Sequence, residues 1–285
     1  MRSCLILLGL CLPACQATTA SVTPSPEAPR SIAETIGPTI TGQLPTPSPI
    51  LAATRIVTFT TADGVTLHGT LYGNGTTAVI LSTMGAQRQE TWVPFARQIA
   101  ARGYLALTYN FRYWVTDTRM QDSMRDKAAE DLRAAVAFVR QQGAQRVVLI
   151  GASLGALASI KAASDVQPAA VVVMAAPFGS FPALPSLQVD QADLRAIAAP
   201  KLFINTEHDQ GGFTASTQQM FEAAPDPKEL QIYPGSAHGT DLFDTDQASA
   251  LTQRLIEFVE QSAPAAGDEQ RTFVSPIENS NGPHR

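Results

Sequence analysis

Residues 147–159 read VVLIGASLGALAS and are the most informative part of the sequence. Four apolar residues, as in a buried strand, lead into Gly-Ala-Ser-Leu-Gly, and the small residues after them can begin a helix. A serine between two such glycines predicts a sharp turn from strand to helix that presents the Ser153 hydroxyl at the end of a sheet. The alternative is a tight strand-to-helix turn in which the serine has no chemical role.

The segments around this motif alternate between strand and helix patterns. Upstream, apolar and polar residues alternate on both sides of Asp63-Gly64, which is a strong signal for a β-hairpin. Short apolar runs predict strands at 78–82, 104–110, 146–151, 169–176, 201–206 and 229–234. Apolar residues at helical spacing predict helices at 91–103, 124–142, 154–163, 214–223 and 246–260. This order predicts an α/β domain with an eight-stranded, mostly parallel sheet and helices on both faces.

The composition excludes several classes of protein. The 285 residues carry a net charge of −5 and no basic run interleaved with aromatic residues, so we expect no nucleic-acid partner. All three cysteines, Cys4, Cys11 and Cys15, lie in the first fifteen residues. The rest of the chain therefore has no disulfide and no cysteine nucleophile, and we predict neither a metal nor a cofactor.

Residues 1–15 have the pattern of a signal peptide. One arginine precedes a nine-residue apolar run at 4–12, which is too short to span a bilayer of about 30 Å. The end of the run, LPAC, resembles the lipobox of bacterial lipoproteins, although Pro13 stands where a small residue is usual. The resemblance implies export, a lipid on Cys15 and attachment to a cell membrane facing outward. The alternatives are cleavage a few residues later with free secretion, or an uncleaved N-terminus.

The composition changes on either side of residues 55–262. Residues 16–54 are rich in Pro, Thr and Ser and cannot bury enough apolar surface to fold, so we predict a disordered tether. A lipid-anchored protein needs such a spacer between its anchor and its domain. Residues 263–285 are polar and are predicted to be a disordered tail, which leaves 55–262 as one folded domain.

A serine nucleophile needs a base within hydrogen-bonding reach, and a histidine is the usual one. His238 follows the last predicted strand on a glycine-rich loop, where ligand-facing residues of parallel sheets lie. His68 comes too early for the chain order of this motif, His284 lies in the tail, and His208 leaves little room for an acid before it. The alternative is that His238 is an ordinary surface residue.

The acid that orients this base is sought at the end of the strand at 201–206. Glu207 and Asp209 both follow that strand, and we favour Asp209 because one helix and one strand separate it from His238. Glu207 is the alternative. Asp241 and Asp244 are interpreted as caps of the final helix.

Residues 55–262 together resemble the α/β-hydrolase superfamily, and within it the small, lid-poor group near dienelactone hydrolases and bacterial esterases. The resemblance rests on the motifs LHGTLY, LSTMGAQRQETW, ARGYLALTYNFR, VVLIGASLGALA, KLFINTEHD and YPGSAHG. It implies an α/β-hydrolase fold. The segment 177–200, where larger relatives insert a lid, is only about two dozen residues long and excludes a large lid.

Carried over by motif, the resemblance implies a role for each candidate residue. Ser153 is the nucleophile, His238 its base, and Asp209 the acid that orients the base. The backbone N–H groups of Met84 and Leu154 form the oxyanion hole, where two preset donors stabilise the negative charge of a tetrahedral intermediate.

The sequence departs from the superfamily in two places. Residues 82–85 read Ser-Thr-Met-Gly where relatives have His-Gly, which a backbone donor tolerates. After the fourth strand, residues 110–114 read Asn-Phe-Arg-Tyr-Trp where relatives often have glycines. The shape of this edge, and therefore the substrate, stays open. Five aromatic residues are candidates for the lining of an apolar pocket: Tyr113, Trp114, Phe178, Phe181 and Phe213. The alternative is that about half of them are ordinary core residues.

These features predict an extracytoplasmic serine hydrolase that cleaves a carboxylic ester of a small acyl substrate. A serine nucleophile argues against dehalogenase and epoxide hydrolase chemistry, and export argues against coenzyme A thioesters. No cluster of Arg or Lys near the motifs indicates an anionic substrate. The alternatives are an inactive binding protein on the same fold, and a peptidase or acyltransferase with the same triad. The sequence indicates no oligomeric state.

Overall fold

Eight strands form one sheet in the computed structural model of the chain, which describes residues 53–115 and 121–265. The strands are β1 (Thr54–Thr60), β2 (Thr66–Tyr72), β3 (Thr77–Ser82), β4 (Leu105–Tyr109), β5 (Arg146–Ala152), β6 (Ala170–Met174), β7 (Lys201–Thr206) and β8 (Lys228–Tyr233). Their order across the sheet is β1-β2-β4-β3-β5-β6-β7-β8. β2 pairs antiparallel with β1 and with β4, and every other pair is parallel. The predicted fold class is therefore confirmed.

The antiparallel edge begins with the predicted hairpin. β1 pairs with β2 through a register that ends at Thr60 and Thr66, and Gly64 in the turn has φ +85°. Only glycine adopts such a conformation at little cost. The Thr61 hydroxyl donates to Asp63 at 2.6 Å, which holds the turn closed.

Helices cover both faces of the sheet. They are α1 (Val93–Ala100), α2 (Arg112–Val115), α3 (Asp122–Arg125), α4 (Ala128–Gln141), α5 (Leu154–Val166), α6 (Gln191–Arg195), α7 (Thr214–Ala223) and α8 (Ala248–Ser262). Three 3₁₀ turns lie at Gln89–Trp92, Pro185–Leu187 and Gly239–Asp244.

The central strand β5 feeds two separate cores. Val147 and Leu149 point into a core that α4 and α5 cover, whereas Val148 and Ile150 point into a core that α1 and α8 cover. Successive side chains of a strand point to opposite faces, so a strand covered on both sides must be apolar throughout. Each fully buried Val, Leu or Ile contributes about 1.5–3 kcal/mol by this burial.

Two predicted helices are divided in the structure. The segment 124–142 contains the end of α3 and all of α4. The segment 91–103 contains α1, which follows a 3₁₀ turn at Gln89–Trp92. Pro94 occupies the first turn of α1, where a missing N–H costs nothing, and so marks the start of the regular helix. Short α2 was not predicted. Between β6 and β7 lie only one 3₁₀ turn and five-residue α6, so no large lid is present there.

The ends of the predicted domain are described in part. The signal peptide at 1–15, Cys15 and nearly all of the tether lie outside the described residues and stay predictions. The first residues of the predicted tail pack against the domain, because Ala263 and Ala265 are buried and the Pro264 carbonyl accepts a hydrogen bond from Arg146 at 2.7 Å. No helix of the described residues has the length and apolar character needed to cross a membrane.

Candidate active site

Ser153 lies on a strained turn between β5 and α5. Its backbone has φ 50° and ψ −111°, a region that residues other than glycine rarely adopt. Such a conformation costs about 1–3 kcal/mol and persists only where the surroundings fix it. Here the Ser153 N–H donates to the Met174 carbonyl at 2.8 Å, and the Ser153 carbonyl accepts from Ala156 at 3.0 Å.

The two glycines of the motif are required by close backbone contacts. A Cβ on Gly151 would lie 2.2 Å from the Gly155 carbonyl oxygen, and a Cβ on Gly155 would lie 2.4 Å from the Ser82 carbonyl oxygen. Neither position has space for a side chain. The glycines therefore let α5 begin directly against β3 and β5, which is what turns the chain sharply at Ser153.

A buried carboxylate at the end of β7 contacts the candidate base. Oδ1 of Asp209 lies 2.8 Å from Nδ1 of His238, and the Asp209 side chain is fully buried. The N–H groups of Gly211 and Phe213 donate to the same carboxylate at 2.9 and 3.1 Å. Glu207, the alternative acid, is exposed.

These hydrogen bonds keep Asp209 ionised. Burial raises the pKa of Asp209, but the hydrogen bond from His238 and those from Gly211 and Phe213 outweigh it, so the pKa lies below its ordinary value. An ionised Asp209 accepts from Nδ1–H of His238, which leaves Nε2 as the unprotonated, basic nitrogen of the neutral ring.

The His238 loop packs directly against the Ser153 turn. A Cβ on Gly239, the next residue, would lie 3.3 Å from Cβ of Ala152 and 2.5 Å from Sδ of Met84. This contact brings His238 to the edge of the sheet at which β5 ends in Ser153. No hydrogen bond of the Ser153 hydroxyl is present among the described residues. A hydrogen bond between a nucleophile and its base often tightens only when substrate binds.

The two backbone donors predicted for the oxyanion hole lie on segments that are hydrogen-bonded to each other. The Gly155 N–H donates to the Thr83 carbonyl at 3.1 Å, and this bond joins the start of α5 to the loop after β3. Leu154 and Met84 adjoin the two bonded residues. In the described part of the chain, neither the Leu154 N–H nor the Met84 N–H has an acceptor, so both can donate to a substrate.

A residue that the sequence did not indicate holds these loops together. Nε2 of Gln87 donates to Asp241 at 2.8 Å, and the Thr240 hydroxyl donates to Oε1 of Gln87. The Gln87 N–H also donates to the Met84 carbonyl at 3.2 Å. Gln87 thus connects the Met84 loop to the His238 loop, and Asp241 is its partner. No spacing in the sequence relates positions more than 150 residues apart.

The aromatic candidates take different places. Tyr113 is part of the buried core, and Trp114, Phe178 and Phe181 are half-buried against that core. Phe213 lies beside the base, with its ring centre 5.7 Å from that of His238. Nowhere in residues 53–115 and 121–265 do three or more His, Cys, Asp and Glu side chains form a group that could hold a metal ion.

Comparison with known proteins identifies the family to which most of the chain is matched. A family model described as an alpha/beta hydrolase domain matches residues 77–264, which include Ser153, Asp209 and His238. No curated protein matches the chain with significant similarity.

Several solved structures share the fold. An esterase domain from Rhodothermus marinus is similar with a TM-score of 0.61 and 21% identity, over 73% of this chain and 99% of that one. An esterase from Pyrococcus furiosus has a TM-score of 0.59 and 20% identity, over 79% and 98%. Esterase 2 of Thermogutta terrifontis, phosphonylated by cyclosarin, has a TM-score of 0.62 and 17% identity, over 77% and 97%. At these identities the likeness establishes the fold alone.

Proposed function

The chain belongs to the alpha/beta hydrolase family, and we propose that it is a serine hydrolase that cleaves a carboxylic ester through an acyl-enzyme. The observation that carries the proposal is the strained Ser153 turn with the Asp209–His238 pair packed against it. Strain at a single serine, held by close glycine contacts, is typical of a nucleophile that must be presented at one point.

In the proposed first half-reaction, Oγ of Ser153 attacks the ester carbonyl carbon and its proton passes to Nε2 of His238. Asp209 fixes the ring orientation and stabilises the imidazolium that forms. The tetrahedral intermediate collapses when His238 gives the proton to the departing alkoxide, so that the alcohol leaves and the acyl group stays on Ser153. A water molecule then attacks this acyl group with His238 as base again, which releases the acid and restores the serine.

The negative charge of both tetrahedral intermediates falls on the former carbonyl oxygen. The N–H groups of Met84 and Leu154 are the proposed donors to it, because they lie on joined loops and have no acceptor among the described residues. Leu154 is also the first residue of α5, where the helix dipole favours negative charge.

Three observations favour an ester as the substrate. The solved relatives named above are esterases, and a serine nucleophile with a histidine base is suited to acyl transfer. The short segment between β6 and β7 leaves the site without a large lid. Trp114, Phe178 and Phe181 are half-buried, and we expect their exposed apolar surface to contact the acyl or alcohol part.

The place of action is proposed from the N-terminal sequence. The signal-like run and LPAC at 12–15 favour export and lipidation of Cys15, and the tether at 16–54 favours a domain held outside a cell membrane. A small, extracytoplasmic ester is the corresponding substrate. Free secretion after cleavage beyond Cys15 is the alternative.

The test is ester hydrolysis by purified protein with one serine changed. We expect Ser153→Ala to keep the fold and to lower kcat for short 4-nitrophenyl esters by about a thousandfold or more, because the nucleophile and base act as a unit. Ser164→Ala is the matched control, since Ser164 is an exposed residue of α5, and its rate should be unchanged.

Each other outcome selects a different function. A Ser153→Ala variant with more than half of the wild-type rate would remove Ser153 from the mechanism. Wild-type protein that is folded but inert toward all esters would favour the binding protein. Transfer of the acyl group to an added amine or alcohol in preference to water would favour an acyltransferase.

A further inference from the structure

Arg125, the last residue of α3, lies against the loop that carries Met84. A Cβ on Gly85 would lie 2.6 Å from Nη2 of Arg125 and 3.4 Å from its Nε. The guanidinium therefore faces the residue next to the proposed oxyanion donor. Because Gly85 has no side chain, the guanidinium occupies the space that a side chain at this position would need.

The Arg125 guanidinium has more N–H donors than it has hydrogen-bond acceptors around it. Among the described residues, its hydrogen-bond partner is Asp122, at 3.4 Å from Nη1, and the buried Nε has none. The Arg125 side chain as a whole is 23% exposed. The Nε and Nη2 nitrogens form the edge of arginine that binds a carboxylate with two parallel hydrogen bonds.

A second unpartnered donor lies within electrostatic range. The Tyr113 side chain is 1% exposed, and its hydroxyl has no hydrogen-bond partner among the described residues. Burial raises the pKa of Tyr113 above its ordinary value, although the charge of Arg125 acts to lower it. The phenol therefore stays protonated and can donate to an anion. Buried polar groups without partners in a folded protein call for an explanation, and a ligand is one.

The position of Arg125 is fixed by the neighbouring residue. Oδ1 of Asp126 accepts from the Ser186 N–H at 2.8 Å, which joins the end of α3 to the segment between β6 and β7. The Met84 loop, α3 and this segment are thus neighbours, with the guanidinium beside Gly85.

We propose that Arg125 and Tyr113 bind a carboxylate of the substrate beside the Met84–Gly85 loop. The preferred substrate is then an ester that carries a carboxylate a short chain away from the carbonyl that is cleaved. This inference rests on the proposed esterase function. It adds a specificity that the sequence did not indicate, since Arg125 is separated from Gly85 by forty residues.

The test compares matched esters that differ in one charge. Mono-4-nitrophenyl glutarate and its neutral glutaramate analogue place the charge on the acyl side. 4-Carboxyphenyl butyrate and 4-carbamoylphenyl butyrate place it on the alcohol side. We expect Arg125→Gln to lower kcat/KM for the anionic member of one pair by about 10- to 100-fold, the effect of losing hydrogen bonds to a charged group. The neutral member should change by less than about twofold.

Two further variants separate the subsite from general effects. Arg133→Gln removes a charge of the same sign from α4, where Arg133 pairs with Asp165. It should leave the ratio of kcat/KM between the anionic and the neutral ester unchanged in both pairs. Tyr113→Phe removes only the hydroxyl from a buried ring. It should lower kcat/KM for the anionic ester by about three- to tenfold and leave kcat/KM for the neutral ester unchanged. Circular dichroism of each variant confirms its fold, and Tyr113→Phe tests the subsite even if Arg125→Gln does not fold.

The outcomes distinguish this inference from the proposed function. Equal losses for the charged and neutral esters in Arg125→Gln and Tyr113→Phe would make both residues structural and would overturn the subsite, while Ser153-dependent hydrolysis persisted. Wild-type preference for the neutral member of both pairs would overturn it as well. Absence of hydrolysis of all four esters would overturn the esterase proposal and the subsite with it.

Discussion

Individual residues of the candidate site adopt conformations or environments that cost free energy in the folded protein. Ser153 is the clearest case, because its backbone strain of about 1–3 kcal/mol is offset by hydrogen bonds to Met174 and Ala156. Asp209 is another, because a carboxylate with a fully buried side chain is tolerated only when it is hydrogen-bonded on all sides. Four groups donate to this carboxylate, from Asn205, Gly211, Phe213 and His238. They leave His238 one orientation, with Nε2 directed away from Asp209.

The first prediction concerns the acid. Asp209→Asn keeps the shape of the side chain but can donate to Nδ1 of His238, which favours the wrong tautomer, so we expect kcat for a simple ester to fall by about a thousandfold or more. Steady-state kinetics of the purified variant measure this. Glu207→Gln is the matched control and should stay within twofold of wild type. Loss of activity in Glu207→Gln, with Asp209→Asn active, would reverse the assignment.

At the scale of the elements, the candidate residues come together because each of them follows a strand that ends at the same edge of the sheet. Ser153 follows β5, Asp209 follows β7 and His238 follows β8, and the three parallel strands end at the same edge of the sheet. The Met84 loop follows β3 at that edge. Hydrogen bonds between loops, above all those of Gln87, then fix the distances that the strands alone leave loose.

The second prediction tests Gln87 as a positioning residue. Gln87→Glu places a carboxylate against Asp241, so the two loops should move apart and kcat should fall by about tenfold with little change in KM, a cost of about 1.4 kcal/mol. The double variant Gln87→Glu/Asp241→Asn restores a donor and an acceptor and should recover most of the lost rate. A double variant no better than the single one would mean that this hydrogen bond does not position the site.

The third prediction concerns the hairpin at the antiparallel edge. Nη1 of Arg112, a buried residue of α2, lies 2.6 Å from Oδ2 of Asp63 in the β1–β2 turn. This hydrogen bond lowers the pKa of Asp63 from 3.8 to about 2. A depressed carboxyl pKa stabilises the fold above the unfolded pKa, and this stability is lost as the pH falls through the folded pKa.

The Asp63→Asn variant measures that contribution. At pH 7 we expect it to lower the free energy of unfolding by about 1 kcal/mol, since Asp63 is half-exposed and solvent weakens the pair. The difference from wild type should shrink as the pH falls from about 4 toward 2. Urea unfolding at pH 7, 4 and 3 checks this, and a difference independent of pH would contradict the ionic explanation.

At the scale of the whole molecule, much of the architecture follows from the order of the elements. Apolar strands that alternate with amphipathic helices leave a parallel sheet as the way to cover both faces, and strand ends then locate Ser153, Asp209 and His238. The contacts of Gln87 with Asp241 and of Arg125 with Gly85 were missed, because tertiary contacts between distant loops have no spacing pattern. The division of 124–142 into α3 and α4 was missed because the apolar periodicity continues across the break.

The fourth prediction concerns the N-terminal segment and is based on its sequence. If Cys15 is lipidated, the full-length protein expressed in a bacterium should partition into detergent in a phase-separation assay, because one acyl chain adds about 0.8 kcal/mol per buried methylene group. Cys15→Ser should stay in the aqueous phase or accumulate as precursor. Cys11→Ser changes a cysteine of the apolar run at 4–12 and is the control, which should partition like wild type. Equal partition of Cys15→Ser and wild type would remove the anchor from Cys15.

We propose that Ser153, His238 and Asp209 act together on an acyl carbonyl, and covalent labelling is the experiment that distinguishes this from other functions. Purified protein spanning residues 50–285 is treated with a fluorophosphonate probe, and the modified residue is mapped by mass spectrometry. We expect an adduct on Ser153 that disappears in His238→Ala, because the hydroxyl is nucleophilic only with its base in place. Folded wild-type protein without an adduct, or an adduct on Ser153 that persists in His238→Ala, would contradict it.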